Sequence, residues 1–375
     1  MAKQYRDIEV NEFKDKLAAG RLTRREFNRT LSAAGLALTT YPLLSRRASA
    51  AEQAVVFIWG GYDVPEMYGK YVEKHGEMPK FSLYGDGNEA FQKVRAGFKP
   101  DVPYTCSPNV PRFRDAGLTQ AIDTSRLSNW PDVFPALKTV PDVQFEGEQW
   151  WIPFDWGRTS ITYRTDLVDW EGEDSWALLW DERYSGRLAV FDTVEETVFL
   201  TAIYAGVEPC NMDDQDLETV MALLREQMPL LRFYSTDETS IVQALGSGEI
   251  VAATTWDSGA LQLRKEGVPV KFMTPKEGVF TWTCGLQLLK DPPNPDKAYD
   301  VIDAMLDPSV GEYVLSEFGF GHSNKRSFER VSDELLADLQ LSRDPSDLLS
   351  SGVPYCNMKN KDKIIQMFQD VMAGY

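Results

Sequence analysis

The sequence predicts an α/β chain built as two lobes, and three observations lead there. Short apolar runs such as Ala54–Ile58 alternate with stretches patterned as helices, the order expected of largely parallel sheets. Beyond its first fifty residues the chain is 325 residues long, more than one hydrophobic core usually organises. Between two sets of alternating elements lies "WWIPFDWGRTSITYRTDLV", an apolar alternation with a proline that reads as a crossover.

Residues 1–50 read as an export signal. Thr23-Arg24-Arg25-Glu26-Phe27 is a twin-arginine pattern, a weakly apolar stretch from Leu31 to Leu44 follows, and Ala48-Ser49-Ala50 supplies the small residues a signal peptidase needs. The stretch is too short and too rich in Ala, Ser and Thr for a membrane span. The mature protein is expected to be soluble in the periplasm. It holds 29 basic and 52 acidic residues, a net charge of about −23, which disfavours nucleic acid as a partner.

In the first set, Ala54–Ile58 reads as a buried strand and Pro65–Lys74 as a helix, and Phe81–Tyr84 with Ala90–Ala96 repeats that order. The proline-rich "DVPYTCSPNVPRF" reads as a loop. The second set comprises "SGRLAVFD", helices at Glu195–Gly206 and Leu217–Gln227, and a strand at Ile250–Thr255. "PVKFMTPKEGVFTWTCGLQLL" adds two strands around a turn, and a helix follows at Pro295–Leu306. The strand before Trp59 and the strand before Trp256 each end in a tryptophan followed within four residues by glycine and aspartate. Ligands of such sheets sit outside the carboxyl ends of the strands, so these aromatics stand where a ligand would be.

Catalytic signatures are missing: there is no Walker loop, no dinucleotide fingerprint and no G-x-S-x-G. The chain is not expected to be an enzyme, although twin-arginine export keeps one as the rival class. His75 and His322 lie far apart and no C-x-x-C occurs, so neither metal nor cofactor is expected. Cys106, Cys210, Cys284 and Cys356 are open to two readings, disulfides or small buried thiols. Trp150, Trp151, Trp176 and Trp180 lie in apolar patterns and read as core.

Several segments together resemble periplasmic solute-binding proteins of ABC importers, in the spermidine/putrescine-binding branch. They are Trp59 with Tyr62 and "VP", "AGLTQAIDTSRLSNWPDV", the crossover segment, "SWALLWDERYSGRLAVFD", "EIVAATTWDSGALQLRKEG", "PKEGVFTW" and "DKAYDVIDAMLDPSVGEYVLSEFGF", in family order over nearly all of residues 54–330. The resemblance implies the type II binding-protein fold, two α/β lobes closing on a ligand in the cleft between them. The chain is expected to exchange lobes at about residues 155–160 and again near 280–285. Residues 51–157 with 283–330 would form the first lobe, and 158–282 with 331–375 the second. It also implies importer membrane subunits as partners, and a monomer is expected.

Carried over by position, the family's aromatic box falls on Trp59, Tyr62, Trp256 and Trp282, with Phe320 where a tyrosine is usual. Of its amine-binding acids, one falls on Glu196; another falls on Thr193, and an aspartate falls on Cys284. A serine and a tyrosine of the first-lobe loop fall on Cys106 and Pro108, and nearby Tyr104 reads either as core or as a replacement for the lost aromatic. An ammonium demands acceptors once it leaves water, whereas a methylated onium has no N–H and is held by aromatic faces. Aromatic walls with fewer acids point to an onium zwitterion of the betaine or dimethylsulfoniopropionate type, with a polyamine as the alternative. Arg158 would be either the donor to the ligand's carboxylate or the partner of Asp155 or Glu196. Asp257 and Asp63 each read as an orienter of the preceding aromatic or as a turn residue.

Overall fold

The computed structural model describes residues 53–374 apart from Asp86, so the expected export signal lies outside the described residues. The first strands form as their patterns require. β1 (Val55–Trp59) is an apolar run buried in its middle. It pairs in parallel with β2 (Lys80–Tyr84) and with β3 (Val102–Cys106). The third strand corrects the loop reading of its proline-rich segment. Pro103 has no N–H to give, but its carbonyl accepts from Gln287 N at 2.7 Å, so the ladder lacks only one donor.

Short pieces follow: β4 (Thr119–Gln120), β5 (Gln144–Phe145) and β6 (Glu148–Gln149). The crossover segment then forms β7 (Ile152–Arg164), thirteen residues of which all but the last are buried. The second set supplies β8 (Leu188–Phe191), β9 (Leu231–Ser235), β10 (Ala252–Trp256) and β11 (Val270–Phe272). The chain returns through β12 (Phe280–Leu286) and adds the short β13 (Leu288–Leu289), β14 (Gly321–His322) and β15 (Val353–Pro354).

Eleven of these strands make one sheet, ordered β2-β1-β3-β12-β7-β10-β8-β9, with β11 and β14 against β7 and β15 against β12. β12 is antiparallel to both β3 and β7 and so joins the two sets. One large core gathers side chains from 54–156 and 284–341, and a second gathers them from 161–280 and 353–371. Leu261 crosses, entering the first core from the helix Asp257–Lys265, and the half-buried Trp256 and Trp282 pack against that core as well. Val331, Leu336, Leu339 and Leu341 also pack in the first core, although the sequence reading put 331–375 with the second lobe. Trp151 and Trp176 are fully buried, as expected of core tryptophans.

The four cysteines form two disulfides, Cys106–Cys284 and Cys210–Cys356. The first joins directly opposed residues of β3 and β12. The second ties the C-terminal segment to the one-turn helix Pro209–Asn211 of the second core.

Candidate functional site

Cross-strand partners project from the same face of a sheet, so the register defines what surrounds what. Asp155, Gly157 and Thr159 of β7 alternate onto one face. Opposite them on β12 stand Cys284, Trp282 and Phe280, and Trp256 of β10 lies opposite Thr159. Trp59, Tyr62, Cys106, Trp256 and Trp282 all lie half-buried against the first core. The register thus sets Trp282 and Trp256 beside Gly157 and Thr159, while Trp59 and Tyr62 pack against the same core.

On the first-core side, Trp59 ends β1 and its ring lies 4.7 Å from that of Tyr84. Gly61, at φ 91°, takes a turn that returns Tyr62 toward the sheet. Asp63 is exposed and accepts from Gly61 N at 3.2 Å, which makes it a turn residue. The Tyr62 hydroxyl donates to Asp155 Oδ2 at 2.6 Å, and the Tyr104 hydroxyl donates to Oδ1. Tyr104 is fully buried in the first core, beneath Asp155. The ring of Tyr62 is 5.5 Å from Tyr104 and 5.4 Å from Phe318. Burial pushes the Asp155 carboxyl up to about 7, with the two tyrosine hydrogen bonds pulling against it.

On the second-core side, Trp256 stacks on Phe191 at 5.0 Å and its indole N–H donates to Glu196 Oε1 at 3.0 Å. Its backbone N–H donates to Glu238 Oε1 at 2.7 Å. Thr193 caps the turn Val194–Val198, its hydroxyl accepting from Glu196 N at 3.2 Å, and so fixes where Glu196 starts. Burial raises the carboxyls of Glu196 and Glu238 to about 7 each. Trp282 Nε1 is buried without a hydrogen-bond partner, while the Thr159 hydroxyl faces Glu196 and helps to hold its carboxyl down.

Between the two sides, Trp282 lies across β7. A Cβ at Gly157 would meet its ring at 2.4 Å, so only glycine admits the indole there. Phe320 meets Trp282 edge-on at 4.9 Å and Phe318 at 6.1 Å. Beside Trp282 runs the Cys106–Cys284 disulfide, so neither cysteine is a free thiol.

Arg158 requires a correction. It alternates to the face opposite Asp155 and Thr159, where its Nε donates to Asp257 Oδ1 at 2.8 Å and its Nη2 to Leu339 O at 2.6 Å. Both ion-pair partners are buried. Arg158 is therefore neither a donor toward the aromatic cluster nor a partner of Asp155 or Glu196, and Asp257 is no turn residue. Gly157, Thr159 and Phe318 carry no mark in the sequence, where Asp155 stands only as a possible partner for Arg158. A charged residue inside an apolar alternation was the available signal for Asp155.

Asp155 and Glu196 each lie beside aromatic rings, and among the described residues neither forms a salt bridge with a lysine, arginine or histidine, which suits them to face an organic cation. His75 faces Asp300, His322 is bonded to Ser327 and Met305, and no metal-binding cluster occurs among the described residues.

Residues 66–340 match the family described as bacterial extracellular solute-binding protein. A spermidine/putrescine-binding periplasmic protein of Salmonella typhimurium is 25% identical over 333 residues, spanning 88% of this chain and 93% of that protein. The putrescine-binding periplasmic protein PotF of Escherichia coli is 28% identical over 313 residues, spanning 76% and 82%. The solved structure of a spermidine/putrescine ABC transporter substrate-binding protein from Streptococcus pneumoniae matches with a TM-score of 0.73 at 22% identity, covering 86% of this chain and 98% of that one. The fold is accordingly the two-lobed α/β binding-protein type.

Proposed function

This chain belongs to the bacterial extracellular solute-binding proteins, and from that premise we propose that it is the periplasmic substrate-binding subunit of an ABC importer, capturing a small methylated onium zwitterion. A twin-arginine signal over residues 1–50 would deliver it, and a monomer would present its closed form to the importer's membrane subunits. Lobes corresponding to the two cores would close about β7 and β12. Trp59, Tyr62, Tyr104, Trp256, Trp282 and Phe320 would form the walls, and Glu196 the acidic pole.

One observation carries the choice of ligand class. Where the spermidine/putrescine branch that this chain resembles has a serine and an aspartate, it has the Cys106–Cys284 disulfide. A disulfide offers an ammonium almost nothing to bond, whereas a methylated onium needs only aromatic faces, each contributing roughly 0.5–2 kcal/mol. The oxygens of Asp155 already accept two tyrosine hydroxyls.

A second reading, a polyamine, is favoured by the presence of two buried carboxyls, Asp155 and Glu196, which a diammonium chain could bridge. Calorimetric titration of the protein with putrescine, spermidine, glycine betaine and dimethylsulfoniopropionate decides between them. Tightest binding of a betaine-type ligand is expected. Putrescine or spermidine binding far more tightly would reject the onium reading and leave the family membership untouched.

A further inference from the structure

We infer that the indole N–H of Trp282 is the donor that holds the ligand's carboxylate, an inference that rests on the zwitterion reading above. The buried tryptophans provide the contrast. Trp151 donates to Thr105 O, Trp156 to His322 O, Trp176 to Gly278 O and Trp256 to Glu196, at 2.9, 3.3, 2.9 and 3.0 Å. The buried N–H of Trp282 has no partner, a state that folded chains avoid because the lost water contact is not replaced. Trp150 shares that state, but it sits beside Phe145 in a small satellite cluster away from Gly157 and Thr159.

The position of this indole is fixed. Gly157 lets the ring lie on β7, and Phe320 braces its side. Along the same face come Thr159 and, bonded to the Trp256 indole opposite it, Glu196, whose carboxylate only accepts when ionised. A donor at one end and an acceptor at the other complement a molecule with an anionic and a cationic pole. A protonated polyamine carries only donors and gives an indole N–H nothing to bond. Arg158 is held on the other face by Asp257 and the Thr159 hydroxyl lies against Glu196, so the indole N–H is the donor left for a carboxylate among the described residues of the site.

The test compares glycine betaine with tetramethylammonium, which has the same onium head and no acceptor, on wild type and Trp282→Phe. Phenylalanine keeps a weaker π-face for both ligands and removes the N–H, so the ratio of the two affinities isolates the hydrogen bond. The preference for betaine is expected to fall on the order of tenfold to a hundredfold, the range of a hydrogen bond to a charged group. Gly157→Ala, which displaces the ring without deleting the N–H, should reduce the same ratio. In ¹⁵N spectra the indole N–H signal missing from Trp282→Phe should move downfield with betaine and stay in place with tetramethylammonium. A folded Trp282→Phe with an unchanged ratio overturns the inference while onium binding by wild type stands. Wild type that binds neither onium ligand overturns the zwitterion reading and this inference with it.

Discussion

Glu196→Gln should make the ligand-free protein more stable and a worse binder, with both effects growing as pH rises. The carboxyl moves from 4.5 to about 7 chiefly because burial strips its water, with the Trp256 N–H and the Thr159 hydroxyl compensating only in part. A displacement of that size corresponds to roughly 3 kcal/mol of cost for the charged form. The sign follows from proton binding. Between about pH 4.5 and 7 the folded protein holds a proton that the unfolded chain has released, so this group's stabilising contribution is complete below about 4.5 and lost as pH rises through 7. Glutamine keeps an oxygen for the Trp256 N–H and never ionises. At pH 5 the variant should melt within about 1 °C of wild type, and at pH 8 about 4 °C higher, given the unfolding entropy of a chain this size. Cation affinity at pH 8 should fall by about 1–2 kcal/mol, since the site loses its acidic pole. Scanning calorimetry at the two pH values and titration with glycine betaine read both effects. A melting temperature lowered equally at both pH values would refute the account, because Glu196 would then be a satisfied structural residue.

The other predictions concern residues that the fold commits elsewhere. Arg158→Met leaves Asp257 buried without its partner and should cost about 3–5 kcal/mol in urea unfolding, with ligand affinity of the folded fraction unchanged; a selective loss of zwitterion binding would return Arg158 to the site. Cys106→Ser combined with Cys284→Asp removes the floor disulfide and restores two acceptors, so preference should move toward putrescine by about tenfold or more. An unmoved preference in a folded variant would show that the floor does not choose the ligand. Cys210→Ser with Cys356→Ser opens a link between residues 146 apart and should cost about 5 kcal/mol on the chain-entropy account, checked by unfolding under oxidising conditions.

Residues whose placement follows from local pattern were legible in the sequence. β1 and β10 are apolar runs that end in Trp59 and Trp256, and both strands take their places in one sheet. Residues whose role depends on register were not. Arg158 and Thr159 are neighbours in sequence, yet alternation sends one to a buried ion pair and the other to the face of Asp155, and parity could not be assigned before β7 was paired. Gly157 looks like any glycine until the indole of Trp282 is laid over it. The Cys106–Cys284 link required knowing that β12 returns beside β3, a pairing across 178 residues that no local signal carries. Pro103 misled for the opposite reason: a strong local breaker signal yielded to a strand that needed only its carbonyl.

The place of β12 in the sheet also bears on the order in which the molecule can be completed. This strand separates β3 from β7, so a nascent chain halted before Phe280 has the two halves of its sheet with nothing to join them. The first core, begun at Ala54, still awaits side chains as late as Leu341. Most of the second core, from Ile161 to Phe280, is by contrast one uninterrupted stretch and can consolidate while the ribosome is still at work. The first core can therefore be completed only after the segment from Phe280 to Leu341 has been made.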